Sequence, residues 1–377
     1  MGRRLTLILL LLLAGASAGA AVPVPAPPSF DATGYLLIDY DSGKVLAERD
    51  PDARVEPASI TKLMTAYVVY GALEDGTIST EDEVLVSEKA WRTYGSRMFI
   101  EVGKRVTVAE LLRGMIIQSG NDASVALAEH VAGTEDAFAN MMNAQADALG
   151  MAATHYMNAT GLPDENHHTS ARDIATLTRA LIREFPEFYR LYAEREYTFN
   201  GITQYNRNKL LWRDDSVDGV KTGHTESSGY SLVASAERDG MRLISVVLGT
   251  ESETARAKHS GALLSYGFRF FETHKLYSAR ESLTEARVWK GEMETVALGL
   301  ESDLYVTIPR GRYKSLKASM ELTPEVEAPV RAGDALGDVR VTLGEDVVER
   351  QPLVALADVG PGGLLRRSID SVKQWFH

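Results

Sequence analysis

The chain has 377 residues, a formal net charge of −12 at pH 7, 45% hydrophobic residues and no cysteine. The acidic balance, with no basic run to offset it, argues against a nucleic-acid partner. The missing cysteines exclude disulfides and thiol catalysis, which leaves serine as the nucleophile to look for.

Arg3 and Arg4, the apolar run Leu5 to Leu13 and the small residues Ala14 to Ala21 read as an export signal over residues 1–21, because a run of this length cannot span a bilayer. About 355 residues then remain, enough for two domains with full cores. Val22 to Pro28 reads as an extended leader, and Tyr35 to Ile38 and Lys44 to Glu48 flank Asp41-Ser42-Gly43 as a β-hairpin.

Pro57-Ala58-Ser59-Ile60-Thr61-Lys62 stands at the mouth of an apolar run, Leu63, Met64, Ala66, Tyr67, Val68, Val69 and Ala72, which reads as a helix with Pro57 in its first turn. Positions three apart share a helical face, so Ser59 and Lys62 are expected to touch. A serine hydroxyl needs a base, and no histidine partner is evident nearby. Lysine serves only as a neutral amine, which calls for burial and a second cation. The start of a helix supplies unpaired N–H groups for an oxyanion.

Thr107-Val108-Ala109-Glu110 has capping-box spacing and opens a helix through Leu111, Leu112, Met115, Ile116 and Ile117. Ser119-Gly120-Asn121 follows as a short link, with Asn121-Asp122 placed to cap the next helix. Helices are expected over Glu135 to Leu149 and Ser170 to Arg183. Between them, Asn158 to Thr169 is polar and irregular. Asp164, Glu165, His167 and His168 there make a weak metal pattern, because no third clustered histidine supports it, and neither metal nor cofactor is assigned.

Strands are expected at Val217 to Thr222, Tyr230 to Ala236 and Leu243 to Leu248, then a helix through Ala262, Leu263, Tyr266 and Phe270. Helices between a β-rich start and a β-rich finish point to one sheet built from both ends. From Ala279 the period changes to two: Leu316, Ala318, Met320 and Leu322 alternate with Lys317, Ser319 and Glu321, as in a small all-β sandwich. Beyond Pro361-Gly362-Gly363, a helix placing Leu365, Ile369, Val372, Trp375 and Phe376 on one face, with Arg366, Arg367 and Lys373 elsewhere, fits a membrane interface. The other reading docks it on its own domain.

Ser59-Ile60-Thr61-Lys62, Ser119-Gly120-Asn121 and Lys221-Thr222-Gly223 each occur once, in this order. Singly, Ser-x-x-Lys matches many solvated helix faces, Lys221 fits a surface cation, and Ser119 and Asn121 fit helix caps. Together with the export signal, the β domain and the terminal helix, they resemble the low-molecular-mass penicillin-binding proteins of the D-alanyl-D-alanine carboxypeptidase family.

The resemblance implies a mixed α/β penicillin-binding/β-lactamase-like transpeptidase fold, with an antiparallel sheet and a helical subdomain over residues 22–278. An all-β domain over 279–359 and an amphipathic helix over 360–377 follow. It implies that Ser59 forms an acyl-enzyme on a peptidoglycan stem peptide, with Lys62 taking the proton, Ser119 relaying one to the departing D-alanine and Asn121 bonding the substrate amide. Lys221 becomes the second cation. Thr222, Gly223, His224 and Thr225 line the strand that pairs with the peptide, the backbone N–H groups of Ser59 and His224 form the oxyanion hole, and Arg207 is a candidate carboxylate clamp. β-Lactam antibiotics would acylate Ser59, and the chain would lie in the periplasm against the outer face of the cytoplasmic membrane. A D,D-endopeptidase, a β-lactamase and a non-catalytic peptidoglycan-binding scaffold are the alternatives.

Overall fold

The structure, a computed structural model, describes residues 24–374, so the expected export segment and the aromatics Trp375 and Phe376 lie outside the described residues. One five-stranded antiparallel sheet is assembled from both ends of the part that precedes residue 271. Gly34–Asp39 pairs with Val45–Arg49 on one side and with Met241–Thr250 on the other, and Gly229–Arg238 and Val217–Thr225 complete the sheet, the last as an edge strand. The register from Gly34 opposite Leu248 to Asp39 opposite Leu243 joins segments some two hundred residues apart in the chain.

Both faces of the sheet are covered, which is why its strands read as almost continuous apolar runs. Leu36 and Ile38 face a helical subdomain, whereas Tyr35 and Leu37 face the helix Glu253–Phe270 on the opposite side. The helix Lys62–Glu74 runs through the middle of the subdomain, buried from Lys62 to Tyr70 without a break. An apolar helix with no polar stripe has to be surrounded, and Val108–Ile117, Asn121–Ala132, Glu135–Ala148 and Ala171–Glu184 are its neighbours. The capping box at Thr107 and Glu110 forms as its spacing predicts.

Two local expectations change. Ser59 lies not in the α-helix but in a 3-10 turn, Ala58–Thr61, that hands over to the helix at Lys62, with Pro57 in the cap position. Gly120, rather than Asn121 or Asp122, caps the helix Asn121–Ala132, because both side chains are committed elsewhere.

In the β-rich part, Phe271–Tyr277 pairs with Leu304–Pro309. A six-stranded sheet packs against this pair in the order Leu316–Leu322, Ala335–Leu343, Asp346–Ala355, Thr295–Gly299, Thr284–Trp289, Val326–Glu327. Val288, Leu298, Val306, Val339 and Leu353 fill the space between them. Leu316–Leu322 alternates in sequence yet is mostly exposed, because it is the outer edge strand of the sheet, with Leu316 and Met320 packed against the margin of that core.

The two parts meet through polar groups. The buried carboxylate of Asp39 accepts from Ser42 Oγ at 2.8 Å and Thr273 Oγ1 at 2.6 Å, and Thr307 Oγ1 lies 2.6 Å from Ser42 Oγ. The terminal helix Leu364–Gln374 docks with its polar side inward. The Asp370 carboxylate accepts from the Lys290 N–H at 2.9 Å, Arg366 donates to the Glu292 carbonyl at 3.1 Å, and Gln374 donates to Glu327 at 3.0 Å. Leu364, Leu365, Ile369 and Val372 point outward, 48–83% exposed.

Candidate active site

A cleft of about 280 Å³ opens between the edge strand Val217–Thr225 and the helical subdomain. Ser59, Ser119, Asn121, Arg207, Thr222, Gly223, His224 and Thr225 all line it. Lys62 and Lys221 are bonded to Ser59 and Ser119 of this lining and are each at most 3% exposed. The residues of the three motifs, with Arg207, His224 and Thr225, therefore converge on one place.

The backbone is forced into shape here. Ala58, just before the nucleophile candidate, has φ +48, and Ser119 has φ +71, a region that non-glycine residues seldom occupy. The turn holding Ser59 is clamped between two glycines. A Cβ at Gly161 would stand 1.8 Å from the Ala58 carbonyl oxygen, and one at Gly223 would stand 2.9 Å from that of Pro57. The glycine of Lys-Thr-Gly is thus needed for the edge strand to approach the Ser59 turn.

Lys62 Nζ has three neighbours: Ser59 Oγ at 3.0 Å, Asn121 Oδ1 at 2.7 Å and the Thr160 carbonyl oxygen at 2.6 Å. The last two only accept hydrogen bonds. An ammonium satisfies all three by donating, but a neutral amine has two hydrogens, which go to Asn121 and Thr160 and leave the lone pair facing the Ser59 hydroxyl. The orientation of Asn121 is fixed from its other end, where Nδ2 donates to the Tyr94 carbonyl at 2.7 Å.

The electrostatics favour the neutral form. Burial, and then the positive charge of Arg207, push the Lys62 amine down to about 7, with the Asp122 carboxylate acting weakly in the other direction. Lys221 donates to Ser119 Oγ at 2.9 Å and is held well below the usual lysine range by burial, with Lys62, Arg207 and Arg256 adding to the effect. Arg207 is thus a cation that lowers the Lys62 amine, and Lys62 and Lys221 also disfavour one another's charge.

Several groups around the site have roles not expected from the sequence. Asn158 forms an Asx turn, its Oδ1 accepting from the N–H groups of Thr160 at 3.1 Å and Gly161 at 2.8 Å, and this aims the Thr160 carbonyl at Lys62. His167 is buried behind the nucleophile turn. Its Nδ1 accepts from the Met157 N–H at 3.3 Å, which leaves Nε2 to donate to Thr61 Oγ1 at 2.8 Å. Burial pushes its imidazole down to about 4, so it stays neutral. His168 faces Arg54 instead, at 2.7 Å, so the adjacent histidines diverge. Arg256, buried against the edge strand, donates to the Gly223 carbonyl at 3.1 Å. The Asn-x-Thr-Gly turn signature could have exposed Asn158; His167 stands out only within a weak metal pattern, and nothing local marks Arg256.

Residues 21–252 match the family model described as D-alanyl-D-alanine carboxypeptidase, and residues 271–361 match that described as penicillin-binding protein 5, C-terminal domain. This chain belongs to the D-alanyl-D-alanine carboxypeptidase family. It is 44% identical to the D-alanyl-D-alanine carboxypeptidase DacA of Escherichia coli over 93% of this chain and 89% of that protein. It superimposes on penicillin-binding protein 5 from Haemophilus influenzae with a TM-score of 0.86 at 43% identity, over 89% of this chain and 99% of that one. The ampicillin-bound form of penicillin-binding protein D2 from Listeria monocytogenes matches with a TM-score of 0.59 at 29% identity, over 64% of this chain and 99% of that one.

With a neutral Lys62 amine as the proposed base, the rate of serine acylation should be level above about pH 7. Below that, as Lys62 gains its proton, it should fall by about tenfold per pH unit. Stopped-flow acylation with a penicillin across the pH range measures this, and a flat profile down to pH 5 would contradict it.

Proposed function

We propose that this protein is a serine-type D-alanyl-D-alanine carboxypeptidase that removes the terminal D-alanine from peptidoglycan pentapeptide stems. The observation that carries this reading is the Lys62 amine, whose two acceptors leave its lone pair for the Ser59 hydroxyl. Ser59 Oγ attacks the carbonyl carbon of the penultimate D-alanine while Lys62 takes the hydroxyl proton. The backbone N–H groups of Ser59 and His224 stabilise the oxyanion. The C–N bond then breaks, and the proton that Lys62 accepted is relayed to the departing amine through the Ser119 hydroxyl, which accepts a bond from Lys221 and ends the step still protonated. Water completes the cycle by hydrolysing the ester.

Among the described residues the edge strand Val217–Thr225 has no sheet partner on its cleft side, so an extended peptide adds to it as a further strand. Arg207 and Thr222 receive the terminal carboxylate. Asn121 keeps one Nδ2 hydrogen for a substrate carbonyl, its oxygen being held by Lys62. β-Lactams, which present a similar acyl unit, acylate the same serine.

The purified protein should release D-alanine from a pentapeptide and take up a long-lived fluorescent penicillin label, and Ser59→Ala should lose both. Rapid antibiotic turnover would favour a β-lactamase, cleavage of crosslinked dimers an endopeptidase, and neither label nor release a scaffold.

We further propose that the chain is exported and rests on the outer face of the cytoplasmic membrane through the helix Leu364–Gln374. The apolar run Leu5 to Leu13 supports export. The outward-facing Leu364, Leu365, Ile369 and Val372, on a helix docked by its polar side, support the attachment. Among the described residues no helix is long and apolar enough to cross a membrane, in keeping with a peripheral contact. Deleting residues 364–377 should release the protein from anionic vesicles in a flotation assay without reducing D-alanine release; continued flotation would refute the anchor.

A further inference from the structure

We infer that Asp122 is a positioning residue for acylation: it bolts the loop from Tyr94 to Ile100 onto the helix Asn121–Ala132 and so fixes the Asn121 side chain that holds the Lys62 amine. The inference rests on Ser59 as nucleophile and Lys62 as base.

The carboxylate is 1% exposed and accepts only backbone N–H groups. Oδ1 accepts from Met98 and from Ala123, both at 2.9 Å, and Oδ2 from Phe99 at 2.9 Å and Ile100 at 3.3 Å. Three of these donors lie on the far side of the cleft wall, some twenty residues earlier in the chain, and belong to a segment with no regular structure of its own. Charge-assisted bonds of this kind are what keep such a segment in one conformation.

The same segment returns the constraint to Asn121. The Tyr94 carbonyl accepts from Asn121 Nδ2 at 2.7 Å, the Ser96 carbonyl accepts from the Asn121 N–H at 2.7 Å, and a Cβ at Gly95 would stand 2.7 Å from Nδ2. Asn121 Oδ1 is thereby held 2.7 Å from Lys62 Nζ. If the loop shifts, Asn121 turns, the Lys62 amine loses one of its two obligate acceptors, and the lone pair is no longer confined to the direction of Ser59.

A purely structural role would change stability and nothing else. The Asp122 charge provides the distinction, because it favours the ammonium form of Lys62. The other charged or titratable groups that face this amine are Arg207 from the loop after the hairpin Glu196–Tyr205, Lys221 from the edge strand and neutral His167 from behind the turn, and none of them is negative. Removing the carboxylate therefore leaves Lys62 easier to deprotonate.

The test is the rate of labelling of the purified full chain by a fluorescent penicillin, followed against pH. Asp122→Asn, which keeps the shape but offers amide hydrogens to N–H donors, should lower the plateau by roughly tenfold to a hundredfold. It should also move the acid limb to lower pH, by roughly half a pH unit. Asp122→Glu keeps the charge but misplaces the oxygens, so its plateau should fall while the limb stays put. This second variant also serves if Asp122→Asn fails to fold. Plateaus within about twofold of the parent in both variants would overturn the positioning role. An unmoved limb in folded Asp122→Asn, or a shifted limb in Asp122→Glu, would overturn the link to Lys62. A parent protein that takes no label would instead sink the reading of Ser59 as nucleophile.

Discussion

A neutral lysine amine has two hydrogens and one lone pair, and the structure gives Lys62 two carbonyl-type acceptors and one hydroxyl. This is the constraint on which the rest of the catalytic part depends. The acceptors take the hydrogens, and the lone pair has nowhere to point except at Ser59. Burial matters for the same reason, because in water the amine would be charged and would orient freely. The cost of burying it falls on a helix that is surrounded on every side, and the helices packed around Lys62–Glu74 keep water out.

The fold can be understood as the means of bringing three carriers to that amine. The nucleophile turn comes from the head of the central helix, the Ser119–Asn121 link from the joint between two helices, and Lys221 from the edge of a sheet whose strands come from both ends of the domain. None of these is rigid alone. The turn is closed by Gly161 on one side and Gly223 on the other, and the link is held by a strained Ser119 and by the backbone donors around Asp122. Strain at Ala58 and Ser119 persists because the packing around each leaves no alternative.

Much of this was legible in the chain. Ser59, Lys62, Ser119, Asn121 and Lys221 carry their own chemistry in short motifs, and the hairpin, the capping box and the two-ended sheet follow from periodicity and turn residues. What could not be read depends on contacts distant in sequence. His167 lies 106 residues from its partner Thr61, and Arg256 lies 33 residues from Gly223. Arg207 stands outside the three motifs, yet its positive charge also lowers the Lys62 amine. The edge strand Leu316–Leu322 shows the limit of period two as a signal, since alternation turns Leu316 and Met320 toward the core but does not say how much of an edge strand is covered. The terminal helix made both of its readings plausible, and it docks with its polar side while its apolar side stays uncovered.

The account stands or falls on the charge state of one side chain in the resting protein. Incorporating lysine labelled with carbon-13 at Cε and following the Lys62 signal by NMR from pH 5 to 11, with Lys62→Arg to assign it, measures that directly. A midpoint near 7, far from the other lysines, is the result the structure requires. A midpoint near the ordinary value of about 10.4 would mean that Lys62 is an ammonium at neutral pH, unable to take the Ser59 proton.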